Sequence, residues 1–433
     1  MSILTTQTLS NFSHHQHSTC QCLRPDSDNE LRVSLTQLAP KNILPRGSGL
    51  SYNDCCFNTD GIVIDTTRLN RFLSFDEATN ILVCEPGVTF RDLFLFNPNY
   101  IPPVIPGTLY ATLAGGVAND VHGKNQSHQG SLGEHIAWLE LLIGDKCIVT
   151  SPTQHPDLFY ATIGGLGLTG IISKIAVKMV KKSHWVCVNK HTVTTLPALL
   201  EAFKKQDTDY KVAWLDLLNP FFAIISKAHH VDPADTPQDV GGLERVLLSC
   251  PKLPFSLIYR GTHRLFNRIY QNVGAKSSKI MPLWQFNNPL DKLGQWQRAY
   301  GPKGLIQFQG LIPDLDAELT LKALFDVIKS HGALPTLAVL KRFEKPGVGL
   351  LSFARPGFTL AIDFKHNDAA INAVKAMNDL ITSVNGNIYL AKDQQLKPAQ
   401  FELLYPKHQA FRNVLKHYQS PHHSDLAKRL GLL

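Results

Sequence analysis

Pro106 to Gly133 reads PGTLYATLAGGVANDVHGKNQSHQGSLG, with six glycines in 28 residues and only Asp120 and Lys124 charged besides its histidines. Glycine forfeits backbone entropy on folding, so a cluster this dense marks a main chain that must turn with φ > 0 or pass close to something. The polar residues left over, among them Thr108, Thr112, Asn119, His122, Lys124 and Asn125, suit hydrogen bonding to a large polar ligand. Apolar runs flank the stretch on both sides. It reads as a buried cofactor-binding loop, not a linker.

A second glycine turn lies upstream, Arg46-Gly-Ser-Gly-Leu-Ser51, between a short strand and a later β segment. Successive N–H groups in such a turn can form an anion-binding nest. Two glycine loops with β-rich spacing suit an extended diphosphate lying between two small subdomains. Gly165-Leu-Gly-Leu-Thr-Gly170 matches the dinucleotide fingerprint, but a β-rich run follows where a helix should start, and no carboxylate stands near Asn189. A Rossmann unit is therefore disfavoured. No GxxxxGK[ST], HExxH or GxSxG occurs.

The 433 residues suggest roughly two or three domains. A net charge of +8 without long Lys/Arg blocks argues against nucleic acid and allows phosphate-bearing ligands or an anionic membrane face. No apolar run approaches the ~20 residues needed to span a bilayer, and the first residues lack a secretory pattern. The expectation is a cytoplasmic protein whose membrane contact, if any, is peripheral at the inner face. Eight cysteines without a CxxC pair read as free thiols. His14, His15 and His17 beside Cys20 and Cys22 resemble a metal cluster, but the polar, terminal setting reads as a frayed tail, so no metal site is expected.

Along the chain, the patterns predict a short helix from Asp28 with Asp28 as its cap, and strands at 42–44 and 61–65. A hairpin follows over 72–75 and 81–85, then a helix capped by Thr89. Further strands are expected at 170–179, 211–218, 305–312, 337–343 and 358–364, and helices at 157–163, 317–330 and 368–384. Residues 251–301 read as a long irregular loop, functional or mobile.

RGSGLSYND (46–54), GIVID (61–65), EPGVTFRDL (85–93), the 106–136 stretch and DLFYATIGGLGLTGII (157–172) stand in an order that resembles the FAD-binding domain of the vanillyl-alcohol-oxidase superfamily. HGKN with GSLG, the 288–309 segment and IYLAKD (388–393) look, within it, like the decaprenylphosphoryl-ribose oxidase family. The resemblance covers nearly all of the chain from Asp28. It implies an α+β fold: a two-subdomain PCMH-type FAD-binding domain built from residues 28–182 and 387–433, an inserted antiparallel-sheet substrate or cap domain over 183–386, and a flexible tail over 1–27.

By motif matching, Arg46, Gly47, Ser48, Gly49, Leu50, Ser51, Tyr52 and Asn53 would wrap the diphosphate, with Tyr52 close to the flavin. Gly107, Thr112, Leu113, Ala114, Gly115, Asn119, Asp120, Val121 and His122 would line the rest, with Ile172 at the adenine end and Tyr389 and Lys392 reaching in from the C-terminal section. Ser48 and Leu50 stand in the loop where many superfamily members carry a flavin-linking histidine, so non-covalent FAD is implied. His122, Lys124 and Lys341 would meet the sugar and phosphate of a substrate, and Trp214, Phe308, Phe343 and Asp363 would line its pocket. Ala361 departs from the family, which carries a cysteine there; the pocket's shape changes, not the chemistry.

The resemblance implies oxidation of a secondary sugar hydroxyl to a ketone with hydride moving to flavin N5 and Lys392 stabilising the reduced flavin. Lys392, His122 and Tyr52 remain open as the base. The substrate reads as a polyprenylphosphoryl-β-D-ribose, with an NAD(P)H-dependent reductase as partner completing a net 2′-epimerisation. An aldonolactone or sugar-alcohol oxidase acting on a small soluble sugar, and a non-enzymatic flavin-binding protein, stay as alternatives.

Overall fold

The chain's apolar residues fall into three larger β-sheets. A computed structural model describes residues 3–38, 42–205, 207–218, 220–237, 240, 242–243, 248–274 and 278–433. In the first sheet Ile43–Arg46 and Ile62–Asp65 run parallel, and Ile62–Asp65 pairs on its other side with His17–Leu23. Thr5–Ser10 completes the order as the antiparallel outer strand. The flexible tail expected over 1–27 is therefore corrected for residues 5–23, which pair into this sheet, while residues 1–2 lie outside the described residues. Ser18, Cys20 and Cys22 alternate inward along His17–Leu23, so small side chains, cysteines included, supply the buried face that large apolar residues usually mark. Helix Asp28–Gln37 lays Leu31 and Leu35 on this sheet, and its cap is Ser27, whose side chain accepts from Glu30 N–H, not Asp28.

The second sheet is antiparallel, ordered Phe72–Asp76, Ile81–Cys84, Ile171–Lys178, Ile136–Ile143 and Lys146–Thr150. The fingerprint-like glycines turn into the strand Ile171–Lys178, with Gly164, Leu166 and Gly167 all at positive φ. That is a strand entry, and it removes the strand-to-helix turn that a Rossmann unit requires. Thr89 caps helix Phe90–Phe96 in a reciprocal box with Asp92, a pairing worth about 1 kcal/mol.

The third sheet has eight antiparallel strands, ordered Lys279–Pro282, Trp185–Val193, Phe222–His230, Tyr210–Asp216, Pro335–Phe343, Gly357–Lys365, Leu305–Ile312 and Asn387–Ile388. Helices Leu196–Lys204, Ala317–Ser330 and Asp368–Ser383 cover one face. The long irregular loop expected over 251–301 is replaced by defined elements: the 15-residue helix Arg260–Gly274, strand Lys279–Pro282 and helix Leu283–Asn287. The helix was illegible because its apolar residues do not face the core.

After Asn387–Ile388 the chain crosses back to the first sheet. Tyr52 N–H donates to Ala391 O (3.1 Å), and the Asn53 amide donates to Leu390 O and Asp393 O. Helices Pro398–Leu404, His408–His417 and Asp425–Arg429 close the structure, and His423 N–H bonds Ile43 O at 2.9 Å. Arg429 bridges Asp54 (2.8 Å) and Asp393 (3.0 Å), tying the last helix to both sides of this crossing.

Candidate functional site

The three sheets enclose one elongated cavity of about 610 Å³, running from the 46–52 loop past the 106–122 loop to the uncovered face of the third sheet. At one end, Gly47 and Gly49 let the first loop approach the second. A Cβ on Gly47 would strike the Thr112 hydroxyl, which is already accepting from Gly115 N–H as a helix cap. Gly49 sits at φ +66° against the Arg46 guanidinium. That guanidinium donates to Cys56 O (2.8 Å) and Ser10 O (2.7 Å), so Arg46 stiffens its own loop while also lining the cavity. The N-terminal hairpin contributes directly: Phe12 lines the cavity and packs on Tyr52 at 4.8 Å, while Asn11 and Ser13 hold Tyr52 O.

Along the middle, Gly107, Thr112, Ala114, Gly115, Asn119, Val121 and His122 line the cavity, as does Ile172. Asn119 Oδ1 is buried without a partner. Four residues expected here do not face the cavity. Asn53 is clamped to the C-terminal crossing, and Leu113 is fully buried in the core. Asp120 accepts from Gly133 N–H (2.9 Å) and the Ser352 hydroxyl (2.5 Å), bracing the loop from behind. Phe343 backs His122 at 4.8 Å without reaching the cavity.

The third sheet's open face supplies the far wall, and pleating decides which residues show. Gln307 pairs with Asp363 and Gln309 with Ala361, while Lys341 stands on the adjacent strand beside Val339, so these side chains form one inward row. Phe308 points the other way, into the core near Ile381. Its assignment to the pocket is corrected: the residues on the cavity side are its neighbours Gln307 and Gln309. The sequence held the signal, since in IQFQG only the glutamines share a polar face. Trp214 lies further along the same face, with Lys190 beyond it. Lys190 and Asn287 also line the cavity and carried no motif, and Asp291 joins them from the 288–309 segment.

Charge concentrates at this wall. Lys124, Lys341 and Lys392 are half-buried in the cavity wall and make no ion pair among the described residues. Burial pushes Lys124 down to about 7, helped by Lys341 and Lys190, and Lys341 down to about 8. Lys392 lies 3.3 Å over the Tyr52 ring. Burial lowers its pKa while the Asp363 carboxyl, itself raised by burial, pulls it back up. Lys124 donates to Phe286 O and lies 4.5 Å from that ring. His122 is boxed by Phe343, Phe353 and Tyr389, and this desolvation, reinforced by Lys341 and Lys392, holds it neutral. Gln309 donates to its Nε2 at 2.9 Å, so Nδ1 carries the proton and finds no acceptor within the protein. Tyr389 O–H donates to Asn119 O at 3.0 Å, joining the crossing to the glycine loop.

A glycine-walled channel ending in a cationic chamber fits a long cofactor with a diphosphate and a redox ring. The family comparison names it: residues 21–151 match the FAD binding domain family. The chain is 30% identical to the decaprenylphosphoryl-beta-D-ribose oxidase of Mycolicibacterium smegmatis, across 91% of this chain and 90% of that one. The chain belongs to the decaprenylphosphoryl-ribose oxidase family of FAD-linked oxidases. It is an FAD-dependent oxidoreductase acting on CH–OH groups. Similarity to an L-gulono-1,4-lactone dehydrogenase of Mycobacterium tuberculosis is 28% identity over 36% of this chain and 37% of that one. A cytokinin dehydrogenase 8 of Oryza sativa subsp. indica matches at 28% over 38% of this chain and 35% of its own.

The residues present fit FAD. The glycines admit a backbone-lined cradle, Asn119 Oδ1 and His122 Nδ1 are buried and without protein partners, and the lysines favour added negative charge. For an FAD-linked oxidase this gives a first prediction. Gly47→Ala is expected to purify folded but colourless, with flavin affinity reduced at least tenfold, because the new methyl drives the two loops apart. Titration of apoprotein with FAD, followed by flavin fluorescence quenching, checks it; wild-type affinity would contradict it.

Proposed function

We propose that this enzyme is a polyprenylphosphoryl-β-D-ribose 2′-oxidase with non-covalently bound FAD, the oxidising half of a 2′-epimerisation that an NAD(P)H-dependent reductase completes. The observation that carries the substrate is the chamber with Lys124, Lys341 and Lys392 beside His122. Lys124 and Lys341, half-buried and without an ion pair among the described residues, favour a ligand that brings its own negative charge, as a phosphate-linked sugar does and a neutral lactone does not. The relative from Mycolicibacterium smegmatis bears that substrate in its name and spans both chains almost fully. Residues 183–386 serve as the substrate domain in this reading, and the two chain ends as the FAD domain.

Bound FAD would supply the two-electron acceptor, so that a secondary alcohol loses its C–H hydrogen with the electron pair and its O–H proton to a base, leaving as a ketone. The protein's part is to hold the sugar and move that proton. Tyr52 is ill-suited as base, since burial raises its phenol well above the ordinary value. His122 has its Nε2 engaged by Gln309 and offers Nδ1–H as a donor, suited to a sugar oxygen. Lys392 has a depressed pKa and lies in the cavity wall. In this account its neutral amine takes the hydroxyl proton, and the ammonium so formed offsets negative charge delivered to the chamber. Asp363 holds the ammonium form within reach. Lys124 and Lys341 bind the phosphate.

The test is turnover with phosphate-linked ribose against free pentonolactones, with the ketone located by mass spectrometry after borodeuteride reduction. Turnover of the lactones alone would overturn the reading in favour of the aldonolactone class. Acid precipitation should release the yellow cofactor into the supernatant; flavin retained in the pellet would contradict the non-covalent assignment. The pH dependence follows from the lysines. Each depressed lysine is charged below its pKa and neutral above it, so phosphate binding weakens as pH climbs through about 7 to about 8. KM for the phosphate-linked sugar is expected to rise across that range by up to tenfold per lost charge; a flat KM profile would contradict phosphate binding by these two lysines.

A further inference from the structure

Helix Arg260–Gly274 is amphipathic the wrong way round. Its polar side faces the protein: Asn267 is 2% exposed and donates to Asp216 Oδ1 at 2.8 Å, and Gln271 donates to Asp216 Oδ2 at 2.8 Å. Asp216 itself is fully buried beneath the helix. The apolar side faces out, with Leu265 61%, Phe266 54% and Ile269 55% exposed. A water-facing helix normally shows the reverse, because burial stabilises large apolar side chains. Phe255, Leu257, Tyr259 and Ile280 extend the same exposed apolar surface on either side. Arg260, Arg264, Arg268 and Lys279 are exposed around it.

We infer that this helix docks the enzyme on an anionic lipid bilayer. Two features favour a bilayer over a protein partner. An apolar strip bordered by arginines matches a hydrocarbon boundary beneath anionic headgroups, which attract each Arg and Lys. The strip is also continuous with the cavity: His263 stacks on Phe266 (5.9 Å), Phe266 on Tyr270 (6.0 Å), and Tyr270 meets Trp214 edge-on at 4.8 Å. Phe266, Tyr270 and Trp214 all line the cavity, so an apolar chain attached to a bound headgroup can leave along this ladder without crossing water. Among the described residues no helix is long and apolar enough to cross a membrane, so the contact lies in the interface plane. The inference extends the proposed lipid-linked substrate in purpose, but its test does not depend on that substrate.

The experiment is co-sedimentation of the flavin-loaded enzyme with phosphatidylcholine vesicles, with and without phosphatidylglycerol. The enzyme is expected to sediment with the phosphatidylglycerol vesicles and to be released by high salt. Two variants, Leu265→Glu/Ile269→Glu and Arg264→Glu/Arg268→Glu, are each expected to lose roughly tenfold or more in vesicle affinity while keeping bound flavin. Failure of the parent enzyme to sediment would overturn the inference, as would sedimentation unchanged in both variants. A parent dimer by light scattering that turns monomeric in Leu265→Glu/Ile269→Glu, without vesicle binding, would assign the face to a second copy and overturn it too. Vesicle binding without oxidation of phosphate-linked ribose would sink the substrate reading alone. Oxidation of a short-chain soluble analogue without vesicle binding would sink the helix inference alone.

Discussion

Lys392→Met should keep its flavin and lose turnover by about 10³-fold or more. In the account above one amine does two things in sequence, accepting the hydroxyl proton and then standing as a cation in a dry chamber. Base removal alone costs about 10²–10⁴-fold and loss of a preorganised charge about 10²–10³-fold. The two losses are not additive, because they belong to one group acting twice. Methionine keeps most of the volume over the Tyr52 ring, so the cavity should hold its shape. Stopped-flow reduction of the bound flavin separates this from a binding defect: the limiting rate should collapse while the substrate concentration for half-saturation shifts little. A variant that reduces its flavin within tenfold of the parent rate would remove Lys392 from the chemistry and return the base to His122.

Arg429→Met should destabilise the protein by about 3 kcal/mol and release flavin before global unfolding. Arg429 is the cation shared by Asp54 and Asp393, and Asp393 is buried with its other oxygen held by the Gln395 and Leu396 N–H groups. Removing one member of such a network strands a desolvated carboxylate, which costs about 3–5 kcal/mol when the remaining partners are few. The two backbone donors place the expectation at the low end. The crossing also carries Tyr389 and Lys392, so loosening it disturbs the cavity's cationic end first. Urea denaturation followed in parallel by flavin fluorescence and far-UV circular dichroism would show the flavin transition moving to lower urea. A change under 1 kcal/mol would mean the crossing is held by Asn53 and the backbone alone.

Much of this architecture is legible in the residues. Strand Leu305–Ile312 and helix Ala317–Ser330 carry clean periodicities and fall where the pattern puts them. The glycine loops announce themselves because only glycine permits the approach of Gly47 to Thr112. Two features hide for physical reasons. The N-terminal hairpin buries serine and cysteine in place of large apolar side chains, so its alternation is invisible to a hydropathy reading. Helix Arg260–Gly274 turns its apolar side to solvent, so the rule that apolar residues mark the core misreads it. The site residues divide similarly. Lys392 and His122 stand in recognisable motifs, whereas Gln307 and Gln309 depend on strand parity, and a one-residue slip exchanges them for Phe308. Asp120 and Asn53 stand in those motifs too, but they brace the loops from behind, a distinction only the hydrogen bonds reveal.

The most direct measurement is anaerobic bleaching of the enzyme's bound flavin in a single turnover. Mixed with a polyprenylphosphoryl ribose, the oxidised flavin band should disappear in one phase, leaving a keto sugar phosphate equal in amount to the enzyme. A free pentonolactone or alditol should leave the band untouched. Bleaching by the free sugar and none by the phosphate-linked one would contradict the account, because the cavity's lysines would then serve some purpose other than binding a phosphate.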